Sequence, residues 1–457
     1  MSSPTVLSDT DSPCAIGDRR ATGWISVVTN VNVAAASTNS RTAVADGRVS
    51  GRAAEGTGVI ASEYTLSQSK TMTIASDPRS RAAEVLAAVH VRPGIARAEL
   101  TEQLGLSSGL ASDLVASLVA GRWLSEGEPR PPVGGGRGRP TRTLWAHPDG
   151  PLVAAAAISH ETWRIEICEL GGTVIDALGE PHDRDRETVL RAVATGLSIM
   201  FRRHGDRLRG ISVAAPGIVS GTRLVQAPNL GWDDVELAAL RPAGAVGAEV
   251  PFLAGNDAND TAIGELARGA AVGSDNALVL FMDSGVGGAL IDGGRVVHGA
   301  HGMGGEFGHL PFGSRRVRCR CGARGCWNTE LDGAALARAL DRPLPADEVT
   351  FSRAVIAAAR DGADAERRAV RAIARALGRG TAGLVNACDP ERVVLCGLAA
   401  ELLDVAPGPL QDGYRDGLMA PRADDPPPIL AGALGDRAPL VGAMESAFAP
   451  ALAHPQL

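Results

Sequence analysis

Residues 309–327 read HLPFGSRRVRCRCGARGCW, and this stretch decides the fold that we expect for most of the chain. It places Cys319, Cys321 and Cys326 within eight positions, ten residues after His309, although the whole chain of 457 residues has only 7 cysteines. Three thiolates and one imidazole form the tetrahedral ligand set that zinc prefers in structural sites. The spacing therefore predicts a structural zinc loop.

The residues between the cysteines support this prediction. Gly322 and Gly325 can adopt the tight turns that would bring three sulfur atoms onto one ion. A chance run of buried free cysteines is the alternative interpretation, because free cysteine is usually buried. A redox function fits less well, since the spacing here is CxC and dithiol exchange uses CxxC.

The surrounding residues extend the pattern to a family. The combination GMGGEFGHLPF…CRCGARGCW resembles the signature of the ROK family, which contains bacterial sugar kinases and sugar-responsive transcriptional repressors. The resemblance covers roughly residues 80–450. It implies an actin-like ATPase fold of two lobes with a sugar in the cleft between them. It also implies that the zinc loop braces the sugar site and takes no part as a Lewis acid.

The resemblance further implies which side chains hold the sugar. Asp257 matches the family's catalytic base, and a carboxylate that accepts hydrogen bonds from a hexose hydroxyl can also remove its proton during phosphoryl transfer. His309 would serve both zinc and sugar. The implied sugar-binding residues are Asn229, Asn256, Asp257, Glu306, His309 and Asn328.

Each of these positions also has a simpler interpretation. Asn256 and Asp257 are residue types common in turns and helix N-caps. Glu306 and His309 are three apart, which is typical of an ordinary surface pair. Asn328 stands where the family usually carries a glutamate, so the charge-assisted bonds of a carboxylate are lost there. We therefore expect a sugar site whose specificity or affinity differs from the family norm.

The nucleotide site is expected to be damaged. A kinase of this fold needs a first-strand loop resembling DxGGT, whose backbone amides approach the phosphates and whose aspartate organises the metal. Here Ala157 replaces the aspartate, and Ser159 and His160 replace the glycines. A second, vestigial phosphate loop keeps Gly285, Gly287 and Gly288. The sequence predicts that neither ATP nor Mg²⁺ is a cofactor.

Residues 76–148 are predicted to form a winged helix-turn-helix domain. Three stretches have helical periodicity, and the last begins after Ser107, a good N-cap, and stops at Gly121. A glycine- and arginine-rich hairpin follows, at the position of a wing. A flexible interdomain linker with solvated arginines is the alternative. The candidate DNA-binding residues are Ser108, Ser112, Asp113, Arg130, Arg137, Arg139 and Arg142.

This candidate recognition helix has no Arg, Lys, Asn or Gln on its outer face, so we expect modest base discrimination. The arginines of the wing neutralise phosphates whatever the sequence and should provide most of the affinity.

The rest of the chain is predicted from composition and periodicity. Residues 1–75 lack sustained periodicity and are expected to be a disordered leader, with Met72 a candidate for the true start. Residues 150–450 alternate strands with helices at 188–203, 258–268 and 353–387, which indicates a large α/β region of two lobes. The net charge of −7 confines any basic surface to a local patch. No signal or membrane pattern is visible, so we expect a cytoplasmic location and no membrane partner.

Together these features predict a sugar-responsive transcriptional regulator, a repressor, without enzymatic activity. Its expected partners are a DNA operator, a small sugar or sugar-phosphate effector, and further copies of itself in a homodimer or homotetramer. The second hypothesis is an ATP-dependent kinase for a hexose or N-acetylhexosamine with an appended DNA-binding domain. A third is a degenerate relative that binds neither ATP nor sugar.

Overall fold

A computed structural model of the protein describes residues 78–130, 141–247 and 250–455. The predicted leader 1–75 lies outside the described residues, and so do Arg137 and Arg139 of the predicted wing. The described chain forms a small N-terminal unit followed by two α/β lobes. The two-lobed α/β architecture expected from the sequence is therefore present.

The N-terminal unit packs three helices against a small antiparallel sheet with strand order β1-β3-β2. Its apolar core comes from the faces that the helical periodicity predicted, with Leu114, Val115 and Leu118 buried on the third helix. The elements are α1 (Pro78–Val91), β1 (Ile95–Ala96), α2 (Arg97–Gln103), α3 (Ser108–Ala120), β2 (Leu124–Arg130) and β3 (Thr141–Ala146).

The turn between α2 and α3 has a clear physical basis. Gly105 has a φ of +60°, which a residue without a Cβ adopts at little cost. Ser107 then caps α3, because its Oγ accepts a hydrogen bond from the Leu110 amide at 3.3 Å. The two helices bend by 118° across this turn. No single helix of the described ranges is long and apolar enough to cross a membrane, and only this bent pair has the required length and apolar composition.

The first lobe is built on a five-stranded sheet with order β11-β7-β4-β5-β6, and a three-stranded sheet, β10-β9-β8, extends from it. Its elements are β4 (Leu152–Ile158), β5 (Thr162–Glu169), β6 (Val174–Pro181), α4 (Arg186–His204), β7 (Leu208–Ala215), β8 (Ile218–Ser220), β9 (Arg223–Ala227), β10 (Trp232–Glu236), α5 (Ala243–Gly247), β11 (Phe252–Asn256) and α6 (Asp257–Arg268).

The second lobe has a five-stranded sheet with order β14-β13-β12-β15-β16. Its elements are β12 (Ala277–Met282), β13 (Val286–Asp292), β14 (Arg295–Val296), α7 (Asn328–Leu331), α8 (Gly333–Ala339), α9 (Glu348–Arg360), α10 (Asp364–Cys388), β15 (Arg392–Gly397), α11 (Leu398–Val405), α12 (Pro407–Gly417), α13 (Ala420–Ala423), β16 (Ile429–Ala431) and α14 (Ala438–Ala453). Short 3₁₀ turns lie at Gly205–Arg207, Leu237–Leu240, Phe307–His309 and Gly435–Arg437.

One helix prediction is wrong. The helical pattern at 353–387 corresponds to two helices, α9 and α10, separated by three residues. Gly362 lies in this break with a φ of +103°, so the chain turns sharply there. Both helices keep an apolar face against the same core, which is why their combined periodicity reads as continuous.

The two five-stranded sheets repeat one topology. In each, the first strand is central, pairs antiparallel with the second and parallel with the fourth, and the third and fifth strands form the edges. The β4–β5 turn of the first lobe is therefore equivalent to the β12–β13 turn of the second. The two candidate phosphate loops occupy these equivalent turns.

Two helices join the three parts of the molecule. α14, at the end of the chain, packs on α6 and on strands β4 and β7, and it also contacts α1. The apolar core of the N-terminal unit is consequently continuous with residues of the first sheet and of α14. α6 contacts strands of both lobes, so a movement between the lobes must involve this helix.

Candidate functional site

His309, Cys319, Cys321 and Cys326 form one group in the folded chain, with their ligand atoms all within 4.8 Å of one another. The Sγ atoms of Cys321 and Cys326 are 3.6 Å apart, and Cys319 Sγ is 3.8 Å from His309 Nδ1. A tetrahedral zinc ion with bonds of about 2.3 Å separates its sulfur ligands by roughly 3.8 Å. The four side chains could therefore hold a metal ion, and both their chemistry and their spacing fit zinc.

The backbone of the loop is tied into a tight hairpin. Gly322 and Gly325 have φ values of +97° and +78°, as the sequence led us to expect. The Cys319 amide donates to the Ala323 carbonyl at 2.8 Å, and the Gly322 amide donates to the Cys319 carbonyl at 3.0 Å. These bonds turn successive cysteines toward one point.

Without a cation, burial favours the neutral forms of Cys319, Cys326 and His309. Burial and the neighbouring thiols of Cys321 and Cys319 raise the pKa of Cys326 to about 12, and burial likewise raises the pKa of Cys319. Burial lowers the pKa of His309. The thiols of Cys319 and Cys326 therefore need a cation to become thiolates, and metal binding must release their protons.

His309 links this group to a carboxylate. Its Nδ1 faces Cys319, while its Nε2 lies 3.6 Å from Glu306 Oε2. Burial raises the pKa of Glu306, which lies partly exposed beside the 3₁₀ turn Phe307–His309. A ligand on His309 Nδ1 would fix the ring, and so the position of the nitrogen facing Glu306.

Asn256 and Asp257 lie where β11 ends and α6 begins. Asn256 Oδ1 accepts hydrogen bonds from the amides of Ala258 and Asn259 at 2.9 and 3.0 Å, and its Nδ2 donates to the Gly217 carbonyl at 2.7 Å. The helix-capping interpretation of Asn256 therefore describes its side chain. One amide hydrogen of Asn256 remains available to a ligand.

Asp257 is the first residue of α6 and lies partly exposed among other acids. Burial raises its pKa well above the usual value, and the neighbouring Asp283 and Glu306 carboxylates raise it further. Burial also raises the pKa of Asp283 to about 6, against the opposing charge of Arg353. This part of the cleft therefore holds several carboxyl groups that resist ionising together.

Asn229 and Asn328 approach the same glycine from two sides. Asn328 Nδ2 lies 3.3 Å, and Asn229 Nδ2 lies 3.4 Å, from the position that a Cβ on Gly285 would occupy. Asn229 belongs to the turn between β9 and β10, and Asn328 begins α7 directly after the cysteine loop. The structure thus brings Asn229 and Asn328 together at the β12–β13 turn, and it places Asp257 within electrostatic reach of Asp283 beside that turn and of Glu306.

The first candidate phosphate loop is closed by its own side chains. Ser159 Oγ accepts hydrogen bonds from the amides of Glu161 and Thr162 at 3.3 and 3.0 Å and donates to the Thr162 carbonyl at 3.0 Å. Ala157, at the position of the missing aspartate, lies on β4 and pairs with Arg164 of β5. The backbone amides that would approach a phosphate are therefore used within the turn.

The same turn contacts the second lobe. His160 is only 6% exposed, and its Nε2 lies 2.9 Å from Arg184 Nη1 and 3.7 Å from Asp347 Oδ1. Burial and the charge of Arg184 lower the pKa of His160. Glu161 Oε1 accepts a hydrogen bond from Thr350 Oγ1 on α9. We call this set of contacts between the β4–β5 turn and the start of α9 the interlobe clasp.

The glycines of the second loop have a packing role. A Cβ on Gly287 would come within 2.9 Å of Ala258 Cβ on α6, and a Cβ on Gly288 would meet the Val279 carbonyl at 2.5 Å. Both glycines lie on β13, whereas Gly285 lies in the turn before it. Close packing therefore accounts for two of the three retained glycines without a nucleotide.

The described candidate DNA-binding residues belong to α3, β2 and β3 of the N-terminal unit. Ser108 and Asp113 are exposed on α3, whereas Ser112 Oγ donates to the Ser108 carbonyl at 2.9 Å and accepts from Arg97. Arg142 is exposed on β3 and lies 3.6 Å from Glu126 Oε2. Arg130 ends β2. The hydroxyl of Ser112 is therefore already engaged, and Glu126 offsets part of the charge of Arg142.

Three important positions were absent from the sequence predictions. Arg97 reaches the candidate recognition helix from α2, Arg320 reaches Asn229 from within the cysteine loop, and Arg268 joins three separate elements. The chain has many arginines, so the residue type alone does not single these three out, and the partners of Arg320 and Arg268 are distant in sequence. Only Arg97 could have been indicated from the sequence, through the helical phasing of α2 and α3 that brings it to Ser112.

Comparison with known proteins gives a consistent result. A model described as the ROK family matches residues 169–449. The chain is 27% identical over 318 residues to the glucokinase of Streptomyces coelicolor, covering 66% of this chain and 96% of that protein. It is 32% identical over 201 residues to the xylose repressor of Caldicellulosiruptor bescii, covering 41% and 49% respectively. A solved ROK family transcriptional regulator, a homologue of the E. coli Mlc protein, matches with a TM-score of 0.66 and 21% identity over 82% of this chain and 98% of its own.

Proposed function

Because the chain belongs to the ROK family, we propose that it is a sugar-responsive transcriptional regulator that acts as a repressor. In this proposal a sugar or sugar phosphate binds between the lobes, and the N-terminal unit binds an operator. The family contains proteins named as kinases and proteins named as repressors, so the assignment depends on this chain's own residues.

The observation that carries the proposal is the closed first phosphate loop. A phosphoryl-transfer enzyme of this fold needs free backbone amides and a metal-organising carboxylate at this turn. Here Ser159 occupies the amides, Ala157 offers no carboxylate, and His160 with Glu161 contacts α9 of the second lobe. A sensor requires the two lobes to respond to a sugar but requires no nucleotide, and this turn is compatible with that.

The N-terminal unit supports the DNA-binding part of the proposal. Two helices joined by a four-residue turn that contains Gly105 and bent by 118° have the geometry of a helix-turn-helix, and the β2–β3 hairpin follows as a wing would. The solved regulator matches 82% of the chain. Residues 150–457 make up only about two thirds of it, so that likeness in fold must extend into the N-terminal region.

A physical route connects the proposed sugar site to this unit. α6 begins at Asp257 in the cleft and ends at Arg268, about 16 Å away at 1.5 Å per residue. Arg268 donates to the Glu445 carboxylate of α14, to the Gly171 carbonyl at 2.8 Å and to the His90 carbonyl of α1 at 3.2 Å. A shift of α6 on sugar binding would therefore reach α1 directly.

This junction is buried and fully paired. His90 is 1% exposed, its Nδ1 accepts a hydrogen bond from the Gly171 amide at 2.9 Å, and its Nε2 lies 3.0 Å from Glu445 Oε2 and 2.9 Å from Arg268 Nη2. Although burial opposes ionisation, His90 and Arg268 lower the pKa of Glu445 to about 2. Breaking one partner would leave a buried charge, so the three residues are expected to move together.

The remaining parts of the proposal follow from the family and the site. We propose that zinc occupies the four-ligand group and has a structural role, since all four tetrahedral positions would be filled by protein. We further propose a homodimer or homotetramer in the cytoplasm, because two copies would place two candidate recognition helices on two half-sites.

A sugar kinase remains the second candidate, and Asp257 is the observation that favours it. Its carboxyl lies in the cleft with a raised pKa, as a catalytic base requires, and the Streptomyces coelicolor relative is named a glucokinase. A coupled assay of ATP consumption across hexoses and N-acetylhexosamines separates the two candidates. Sugar-dependent turnover that disappears in Asp257→Asn would establish the kinase, and its absence is expected.

Selection of genomic DNA fragments by the purified protein at moderate salt, with and without a sugar mixture, tests the regulator. We expect recovery of a palindromic site whose occupancy changes with sugar. Replacing Arg137 and Arg139 by Ala should weaken binding to all sequences, because phosphate contacts are not sequence-specific. Replacing Arg360 and Arg367 by Ala removes two exposed arginines of the second lobe as a matched control. Recovery of random, salt-sensitive fragments alone would contradict the proposal.

A further inference from the structure

Two asparagine amides border the proposed sugar site at the β12–β13 turn. The Nδ2 atoms of Asn328 and Asn229 lie 3.3 and 3.4 Å from the position that a Cβ on Gly285 would occupy, so both amides border the same side of this turn. Both residues are half-buried. Whether they offer donors or acceptors to a ligand depends on how each amide is oriented, because Oδ1 only accepts and Nδ2 only donates.

Asn328 is oriented by the backbone of β13. Its Oδ1 accepts a hydrogen bond from the Val286 amide at 2.6 Å and packs against Gly308, where a Cβ would come within 2.3 Å of it. An inverted amide would place two N–H groups against this donor, so the orientation is fixed. The Nδ2 group therefore faces the open side, and it has no protein partner among the described residues.

Asn229 is oriented by an arginine of the cysteine loop. Arg320 Nη1 donates to Asn229 Oδ1 at 3.4 Å, and Arg320 Nη2 donates to the carboxylate of Glu348. Glu348 is 5% exposed at the start of α9, so it anchors the guanidinium. Arginine has donors only, which requires Asn229 to turn its oxygen toward Arg320 and its Nδ2 toward the cleft.

The edge of the cleft formed by Asn229 and Asn328 consequently offers hydrogen-bond donors to a ligand. A carboxylate at position 328 would keep the bond from Val286 and use its second oxygen to accept from a ligand hydroxyl, but the two amides here can only give hydrogen bonds to the ligand. A carbonyl oxygen has two lone pairs and no hydrogen, so it can accept from both. A hydroxyl can accept too, but its own hydrogen finds no acceptor on these two amides.

The acidic side chains of the cleft bear on the charge of the ligand. Burial raises the pKa of Asp257 and of Asp283, and the neighbouring Asp283 and Glu306 carboxylates raise the pKa of Asp257 further. An anionic ligand carboxylate would add one more negative charge to a place where the carboxyls already resist ionising together, whereas a neutral carbonyl would add none. An acidic sugar is therefore disfavoured at this site.

We propose that the effector is an uncharged sugar with an exocyclic carbonyl, such as an N-acyl amino sugar, and that Asn229 and Asn328 select it through this carbonyl oxygen. Arg320 is the positioning residue that holds Asn229 for this contact. The inference rests on the proposed function only in requiring that the cleft binds a sugar.

The test is titration calorimetry of the full chain with sets of three related ligands in the gluco, manno and galacto series: the parent hexose, its N-acetylamino sugar and its uronic acid. We expect at least one N-acetylamino sugar to bind roughly tenfold or more tighter than its parent hexose, and the uronic acids to bind weakest. The inference would be overturned if every parent hexose bound as tightly as its N-acetylamino sugar, or if a uronic acid bound tightest.

Asn328→Asp is the matched variant, since it keeps the acceptor for Val286 and replaces only the donor. Near pH 8 the new carboxyl is ionised. There the affinity of the variant for the N-acetylamino sugar should fall about tenfold, while it should still bind the parent hexose. Asn229→Asp provides the same test if the first variant does not fold. Gln411→Glu, on α12, makes the same amide-to-acid change away from the cleft and should alter nothing. An unchanged preference in both asparagine variants would refute the selection mechanism.

The outcomes also separate this inference from the proposed function. If the protein binds hexoses but does not prefer ligands that carry a carbonyl group, the proposed sugar sensor stands. Only the proposed selection by Asn229 and Asn328 is then refuted. Absence of any binding refutes both. Sugar-dependent ATP turnover refutes the sensor, while the ligand preference can still be measured on the same protein.

Arg320 needs a separate readout because it acts through Asn229. Arg320→Ala should weaken N-acetyl binding several-fold and leave the parent hexose almost unchanged, with Arg320→Lys restoring part of the preference because a lysine still only donates. An equal loss for both ligands would indicate a merely structural role.

Discussion

His309 shows how one side chain can serve two sites. Its ring has Nδ1 beside Cys319 and Nε2 beside Glu306, so the ligand group and the cleft share a residue. The four candidate ligands lie within 18 positions of the sequence, and a metal bound to them is expected to hold this ring and the start of α7. Loss of the metal is therefore expected to disturb the cleft as well as the loop.

Replacing Cys326 by Ser tests whether the loop depends on a bound metal. Cys326 is 1% exposed, and a serine oxygen binds zinc poorly, so the variant should lose about one zinc per chain and be destabilised by roughly 2 kcal/mol or more. Metal analysis and thermal unfolding measure both effects. Cys388→Ser, a thiol outside the group, should keep the metal, and a wild-type protein purified without zinc at full stability would contradict the prediction.

Asp260 gives a pH-dependent prediction. Burial raises its pKa from 3.8 to about 8, and its Oδ2 has no partner among the described residues. Above the unfolded pKa the unfolded chain ionises while the folded carboxyl stays protonated, so stability falls as pH rises from about 4 to about 8 and then levels off.

Replacing Asp260 by Asn removes this contribution to the pH dependence of stability, because an amide does not ionise. The difference in melting temperature between the variant and the wild type should therefore shift in favour of the variant between pH 5 and pH 8. Asp424→Asn, at an exposed residue, serves as the control. A difference that is constant across this range would show that Asp260 ionises normally in the folded chain.

At the level of elements, α6 is the central feature. It caps its own N-terminus with Asn256, carries Asp257 into the cleft and ends with Arg268 in the buried junction with α1 and α14. A short helix is stiff, so a displacement at one end is transmitted to the other. The proposed sugar site and the N-terminal unit are thus joined by one element whose two ends are both half-buried.

Arg268→Gln should uncouple the two sites while leaving each able to bind. In the wild type we expect sugar to change operator affinity by a factor of roughly 5 to 150, and in the variant by less than about twofold. Sugar affinity measured with and without operator must change by the same factor, which provides an internal check.

Arg360→Gln, an exposed arginine on α9, is the control, and Glu445→Gln is the second variant if Arg268→Gln unfolds. Coupling that persists in both junction variants would exclude α6 as the route. A wild type without any coupling would instead contradict the proposed function.

At the level of the whole molecule, the two sheets share one topology, but their equivalent turns make different contacts. Both sheets have the same strand order, and their first hairpin turns are the two phosphate-loop positions. In the second lobe the turn borders Asn229 and Asn328, whereas in the first lobe it has become the interlobe clasp. Contacts between side chains therefore join the lobes at the first candidate phosphate loop.

Thr350→Val tests the interlobe clasp, because it removes the hydroxyl bound to Glu161 without changing size. We expect the sugar-free protein to become more open, with a larger radius of gyration in X-ray scattering, and sugar affinity to fall several-fold because less of the closed state is populated. Thr195→Val, which removes an exposed hydroxyl of α4, should change neither quantity. An unchanged radius and affinity in Thr350→Val would show that the clasp does not hold the lobes.

The sequence by itself determined the features whose causes are local. The ligand set at 309–326, the turns at Gly322 and Gly325, the cap at Ser107 and the two-lobed alternation of strands and helices follow from short spacings. The break at Gly362 was missed because α9 and α10 share one apolar face, which makes two helices look like one.

Only the tertiary structure decided which side chains meet. Arg268 and His90 are 178 positions apart, Arg320 and Asn229 are 91 apart, and Glu161 and Thr350 are 189 apart. The orientation of the Asn328 amide likewise depends on Val286, 42 positions away. Periodicity and spacing describe the chain over a few turns, whereas these pairs exist only after helices and strands have packed, because a hydrogen bond requires its two atoms to be within about 3 Å.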